Sequence, residues 1–450
     1  MTRVDVAIES AIEPPRRGAR ERAPLTLWAV LVLAGALLVR QFVDPVAIAR
    51  HDAVPLHASF DPHIEIAVVL PLAIALALIV WGARLAATLE WRRLLAGAWV
   101  ASTSWAIGLA AVRGWGRITA PLEHSGEYLA LLPGIHSIPS FLDGFVENIR
   151  HYPVHVQGHP PGFATLSASL HAGGLGSPVL VALLCIVVGA AAAPLVLVVV
   201  REVVDEEWAR RSALFVVLAP MSIWIATSAD AFYAGVSCAA TALVVLATGR
   251  QGSRGDAYAV GGGILFGVLA YLSYGLVLVA VIPLTVAVYR RAPRPVLLAC
   301  AGALPVVGAF LLSGFWWIDG LLATRDRYFA GVASRRPYPV FLVANLASFA
   351  IVLGPAAFVA LTRLRHRRVW LLVASALAAV ALADLSGMSK GEVERIWLPF
   401  APFVLVSCGA LWSARVTNGT RDRRFSTGTM WLAAQAGLAV GLEGLVRTAW

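Results

Sequence analysis

The sequence predicts an all-α integral membrane protein with about thirteen transmembrane helices and one long extracytoplasmic loop. Three observations predict it. The 450 residues are 59% hydrophobic and 14% charged. The apolar residues form unbroken runs, such as LTLWAVLVLAGALLV and SPVLVALLCIVVGAAAAPLVLVVV. The basic residues lie between those runs, in RRGARER, EWRR, REVVDEEWARR, YRRAPRP, RLRHRR and RDRR. A run of roughly 20 apolar residues crosses a hydrocarbon core about 30 Å thick as a helix. Backbone amides in lipid bond within their own segment, so helices are the default. A lipid-spanning barrel would alternate apolar and polar residues, and these runs do not.

In order along the chain, spans are expected near 25–43, 64–82, 95–112, 176–200, 211–227, 230–248, 259–273, 275–289, 296–315, 340–361, 369–385, 398–413 and 429–446. The first follows a basic N-terminus, residues 1–24. It is too long for the apolar core of a signal peptide, so it reads as a retained anchor despite AIA at 47–49. The run 259–289 exceeds one ordinary span, and Arg254 and Arg290 at its ends favour one side, so it divides near Gly275. Residues 25–94 then form two N-terminal helices and 95–450 the main membrane domain.

The net charge of +10 fits cytoplasmic arginine clusters better than nucleic-acid binding. The chain holds one lysine, Lys390, and the arginine bias points to a GC-rich bacterial source. With the N-terminus cytoplasmic, the outer face receives 44–63, 113–175, 316–339 and 386–397, and nine of the ten histidines lie on or beside it. The segment 113–175 is too long for a plain connector, and loops of that length are functional or disordered. Its aromatics and prolines argue for order, with short surface helices such as 140–150. Cys185, Cys238, Cys300 and Cys408 sit inside apolar runs at no metal spacing, which suits packing.

Five outer stretches carry chemistry. In PLEHSGEYLALLP, Glu127 and Tyr128 open the long loop, and Glu127 is either a solvated carboxylate or a general base. HVQGHPPG closes the same loop. Pro160 and Pro161 restrict the backbone, so His159 sits in a rigid helix start, or His155 and His159 face a site. Two histidines at that spacing keep a divalent metal open, although no Cys or clear carboxylate completes a set. In WIATSADAFYAG, Asp230 is a helix cap or a site carboxylate. Arg325, Arg327, Arg335 and Arg336 break the positive-inside trend, which suits lipid headgroups or a bound phosphate. In SKGEVERIWLPFAP, Arg395 enters a membrane helix beside Glu392 and Glu394 as a site residue or an internal ion pair.

These stretches resemble GT-C-type membrane glycosyltransferases, the dolichyl- or polyprenyl-phosphate-sugar class that includes protein mannosyltransferases. That family carries an acidic residue after an early helix, a His-Pro-Pro or Lys-Pro-Pro element roughly thirty residues later, and an Arg-aromatic-x-x-Pro element near the end. Glu127-Tyr128, His159-Pro160-Pro161 and RIWLPFAP from Arg395 look like these three in order, and Asp230 looks like the family's second outer acid. The family usually has a paired acid where Glu127 follows Gly126, so Asp52, Asp143 and Glu147 stand as rival bases. The resemblance implies an inverting transferase with Glu127 and Arg395 catalytic. Tyr128, His155, His159, Asp230, Arg325, Arg327, Arg335 and Arg336 would bind substrate. The partners it implies are a polyprenyl-phosphate sugar, an envelope glycan, glycolipid or protein acceptor, and the bilayer. A transporter or lipid flippase is the alternative, kept open by GGGILFG and the division at Gly275.

Overall fold

The computed structural model describes residues 17–49, 51–226, 228–412 and 427–448. The fold is helical, with one two-stranded antiparallel ribbon, Ala58–Phe60 against Val446–Thr448. Eight helices among the described residues are long and apolar enough to cross a membrane. They are α1 (Glu21–Phe42), α2 (Ile66–Thr88), α3 (Trp91–Ala111), α4 (Pro178–Val203), α5 (Ala229–Thr248), α6 (Ser253–Leu272), α7 (Pro293–Leu312) and α8 (Arg367–Leu385).

The other expected segments are shorter, broken or less apolar, for identifiable reasons. Glu206–Val217 ends ahead of Pro220, where the chain tightens into a 3₁₀ turn. Tyr274–Arg290 starts as a 3₁₀ turn and becomes α-helical only at Val281. Tyr338–Leu353 and Pro355–Arg363 meet at 89°, where Gly354 takes a φ of +71° that a side chain would resist. Ala401–Leu411 is short, and Thr427–Leu445 runs into the C-terminal strand.

Burial separates the centre of the bundle from its rim. In α5, 67% of the apolar window is buried, against 6% in α7 and 17% in α1 and in α2. The exposed leucines and valines of α1, α2 and α7 are the surface that a bilayer solvates. Apolar helices in lipid gain little from hydrophobic burial, so close backbone approach matters more. Gly263 of α6 supplies it, since a Cβ there would lie 1.9 Å from Ala299 O of α7. Gly235 of α5 does the same against Val188 O of α4.

Helix α1 is built into the bundle. It packs on Tyr338–Leu353, Trp28 Nε1 donates to Ala350 O at 2.9 Å, and Gly35 lies against Ala347. One end of the bundle gathers the basic helix ends. Glu202 accepts from Arg250 at 2.9 Å and Arg290 at 3.2 Å, Arg210 donates to Ala86 O and Leu89 O, Arg294 pairs with Asp256, and Arg363 pairs with Glu21. The RDRR cluster at 421–424 and Arg16 lie outside the described residues. The opposite end carries the loops 43–65, 113–177, 313–337 and 386–400. Short helices Ile138–Asp143 and Phe145–Asn148 form as expected near 140–150, held by Phe141, Phe145, Tyr152 and Phe315 in edge-on and tilted ring contacts.

Candidate functional site

The loop end of the bundle holds a cavity of about 230 Å³. Four cationic side chains line it: Arg327, Arg336, Lys390 and Arg395. His155, His159, Glu392, Tyr274 and Tyr328 complete its ionisable lining. Its volume is below the ~300–1,000 Å³ usual for sites that enclose a whole drug-sized ligand. It suits a compact polar head.

Each side chain is placed by local structure. After Gly391, at φ +94°, Glu392 takes φ +63°, and the short helix Val393–Ile396 follows. That turn throws Glu392 and Arg395 to the same side, where Arg395 Nη2 donates to Glu392 Oε2 at 2.6 Å. Arg395 Nη1 donates to Asp230 Oδ2 at 2.5 Å. Both Asp230 and Arg395 are buried, so neither charge is stable there without the other. Ser228 is the cap of α5, accepting from Ala231 N at 3.2 Å, which leaves Asp230 free of the capping role and turned to Arg395.

The long loop 113–177 closes on itself through Glu127 and His155. His155 N donates to Gly126 O at 3.0 Å, and the His155 Nδ1 to Glu127 Oε1 distance is 2.5 Å. A carboxylate only accepts, so this contact puts the ring proton on Nδ1. Glu127 is 7% exposed and sits behind His155, outside the cavity lining. His159 Nδ1 bonds His155 O at 2.8 Å, and its ring lies about 6 Å from those of Tyr128 and Tyr233, at 6.1 and 6.0 Å between centroids. Tyr128 and Tyr233 share a 3.0 Å hydroxyl contact. Pro160 and Pro161 lead into Gly162–Ala172, and Gly162 passes so close to Tyr271 that a Cβ would lie 2.3 Å from its carbonyl oxygen.

Three of the four cations, Arg327, Arg336 and Lys390, are held by neutral acceptors, while Arg395 is paired with Asp230 and Glu392. Arg336 donates to Ala47 O at 2.8 Å and to Lys390 O. Lys390 Nζ donates to Ala333 O at 3.2 Å, and Arg327 donates to Gln157 Oε1. Burial, with Arg336 nearby, pulls Lys390 down from its ordinary value, and burial likewise lowers Arg327. Burial opposes charge on Glu392, but His57, Arg395 and Arg336 outweigh it and hold the carboxyl well below its usual range. Burial lowers His159. Behind the cavity, His57 N donates to Glu394 Oε1 at 2.8 Å; burial pushes His57 down to about 4 and Glu394 up to about 7.

The structure therefore brings together His155, His159, Arg327, Arg336 and Arg395, with Glu127, Tyr128 and Asp230 directly behind them. It leaves out Arg325, which is exposed beside Asp326, and exposed Arg335. The rival bases lie elsewhere: Asp52 accepts from Phe60 N at 2.5 Å, and Asp143 and Glu147 are exposed outside the cavity lining. Among the described residues no three His, Cys, Asp or Glu side chains are grouped to hold a metal ion. Sequence reasoning missed Lys390, Glu392, Gln157, Tyr233 and His57 as parts of the site. Lys390 had a signal, being the chain's only lysine. The others had none, because their roles depend on partners far away in the chain. No protein-family model and no curated protein matches the chain.

Proposed function

We propose that the chain is an inverting glycosyltransferase of the cell membrane, working on the outer face. It moves a sugar from a polyprenyl-phosphate donor to an envelope glycan, glycolipid or protein. The observation that carries this reading is the cavity with four cations at the loop end of the bundle, lined also by a histidine paired with a buried carboxylate. An anionic head group fits that charge, and guanidinium forks match phosphate oxygens. The cavity's position at the bundle end suits a donor whose tail lies in lipid and whose head emerges into water. The basic opposite end suits a cytoplasmic surface. In this reading Glu206–Ile225, Tyr274–Arg290, the bent pair, Ala401–Leu411 and Thr427–Leu445 also traverse the bilayer, which gives about thirteen spans.

In the proposed reaction the Glu127–His155 pair activates an acceptor hydroxyl. The hydroxyl displaces the phosphate at the anomeric carbon and inverts it. Arg395, with Arg327, Arg336 and Lys390, stabilises the departing phosphate, and donors aimed at developing charge are worth roughly 3–4 kcal/mol each. His159 and Tyr128 shape the sugar side of the cavity.

The test is sugar transfer from synthetic polyprenyl-phosphate mannose and arabinose by protein in liposomes. Glu127→Gln and Arg395→Lys should each lower the rate on the order of 100-fold or more. Near-normal transfer in both, with both inserted normally, would overturn the assignment. A transporter or flippase is the second reading, favoured by the 89° break at Gly354 and the 3₁₀ start at Tyr274, since transporters use interrupted helices. Solute or lipid flux in the same liposomes, without sugar transfer, would select it.

A further inference from the structure

We infer that the group receiving the acceptor's proton is His155, and that Glu127 is its positioning residue. This rests on the transferase reading above. Three observations carry it. His155 lines the cavity and Glu127 does not. Glu127 Oε1 lies 2.5 Å from His155 Nδ1, so the carboxylate fixes the tautomer whose Nε2 holds the ring's lone pair. The backbone bond from His155 N to Gly126 O ties the two residues' segments together, so ring and carboxylate keep their register although 28 residues separate them.

The step balances as follows. The acceptor oxygen forms a bond to the anomeric carbon as the carbon's bond to the phosphate oxygen breaks. The electron pair of that bond leaves with the phosphate. The hydroxyl proton passes to His155 Nε2, and the resulting imidazolium is held by Glu127 until water takes the proton. Glu127 thus orients the His155 ring and retains the charge that forms there. The other charged or titratable groups lining the cavity with His155 are His159 on its own segment, Tyr274 at the start of Tyr274–Arg290, Arg327 and Tyr328 on Trp317–Ala330, Arg336, and Lys390, Glu392 and Arg395 on the C-terminal segment. Asp230 lies behind them on α5.

The experiment has two arms on the full-length protein in lipid nanodiscs or liposomes. The first titrates ¹⁵N-labelled histidine by NMR, with His155→Gln used to assign the signal, and needs no substrate. Glu127→Gln should displace the His155 ring-nitrogen signals, because the carboxylate that fixes the Nδ1 proton is gone. The second measures the pH profile of transfer from polyprenyl-phosphate mannose or arabinose. Wild type should show a rate that rises with pH through the His155 titration. Glu127→Gln should keep a slower rate that still rises with pH, and His155→Gln should lose the rise altogether. If His155→Gln keeps the wild-type profile, or the NMR signals ignore Glu127→Gln, the inference is wrong while the transferase stands. If the NMR coupling is present but wild type transfers neither sugar, the transferase reading fails, and this inference fails with it.

Discussion

Arg395 lies between two carboxylates, and Glu394 lies beside it with no cation among the described residues bonded to it. The two situations have opposite consequences. Asp230 compensates a buried guanidinium, so Asp230→Asn should cost about 3 kcal/mol. Thermal melting in detergent would measure that loss. Glu394 is 1% exposed, and burial raises its carboxyl from 4.5 to about 7. A raised folded value means that the folded chain holds the proton more tightly than the unfolded one. Its stabilising contribution is then complete below about 4.5 and is lost as pH climbs through about 7. Glu394→Gln keeps the acceptor for His57 N and removes the ionisation. The variant should be the more stable protein at pH 8, by on the order of 3 kcal/mol, and the gap should close as pH falls toward 5. Melting curves at several pH values read this directly. A gap that is constant with pH would show that Glu394 does not titrate there.

At the scale of elements, one feature locks two helices together and another sets the frame of the cavity. The first is the glycine seam between α6 and α7. Gly263→Ala forces a methyl group against Ala299 O and should cost about 2 kcal/mol. Gly261, whose Cβ position has only Leu243 Cδ1 within reach at 3.7 Å, is the matched control. The second is the N-terminal unit, residues 21–65. Ala47 O accepts from Arg336, Pro55 O from Ser348 at 2.8 Å, and His57 bonds Glu394. A chain starting at Glu90 should therefore expose Arg336, seen as new tryptic cleavage after Arg336 by mass spectrometry. The sequence marked α1 and α2 clearly, because long apolar runs announce themselves. It did not say that they brace the site. That role depends on backbone carbonyls such as Ala47 O, which carry no sequence signal. The interrupted segments were also hidden, since a hydrophobic run reads the same whether Gly354 bends it or not. Glu127, His155, His159, Asp230 and Arg395 were legible because polar residues stand out in an apolar chain. The four candidates Arg325, Arg327, Arg335 and Arg336 looked equivalent; position on one helix separates Arg327, inside, from Arg325, outside, and the change to extended backbone after the 3₁₀ turn turns Arg336 inward while Arg335 stays exposed.

At the scale of the whole molecule, charge is sorted between two ends. One carries paired arginines at helix termini, and the other carries the cationic cavity with its histidines. The account's central claim is that this cavity opens to the outer face and receives an anionic lipid head. The most direct measurement is accessibility at Ser389, which lines the cavity next to Lys390. A single cysteine placed there, with Cys185, Cys238, Cys300 and Cys408 replaced, would be treated in intact cells with a membrane-impermeant maleimide. The account predicts labelling from outside, slowed when polyprenyl phosphate is added and unaffected by the matching neutral polyprenol. Labelling only from the cytoplasmic side, or an equal rate with and without the phosphate lipid, would contradict it.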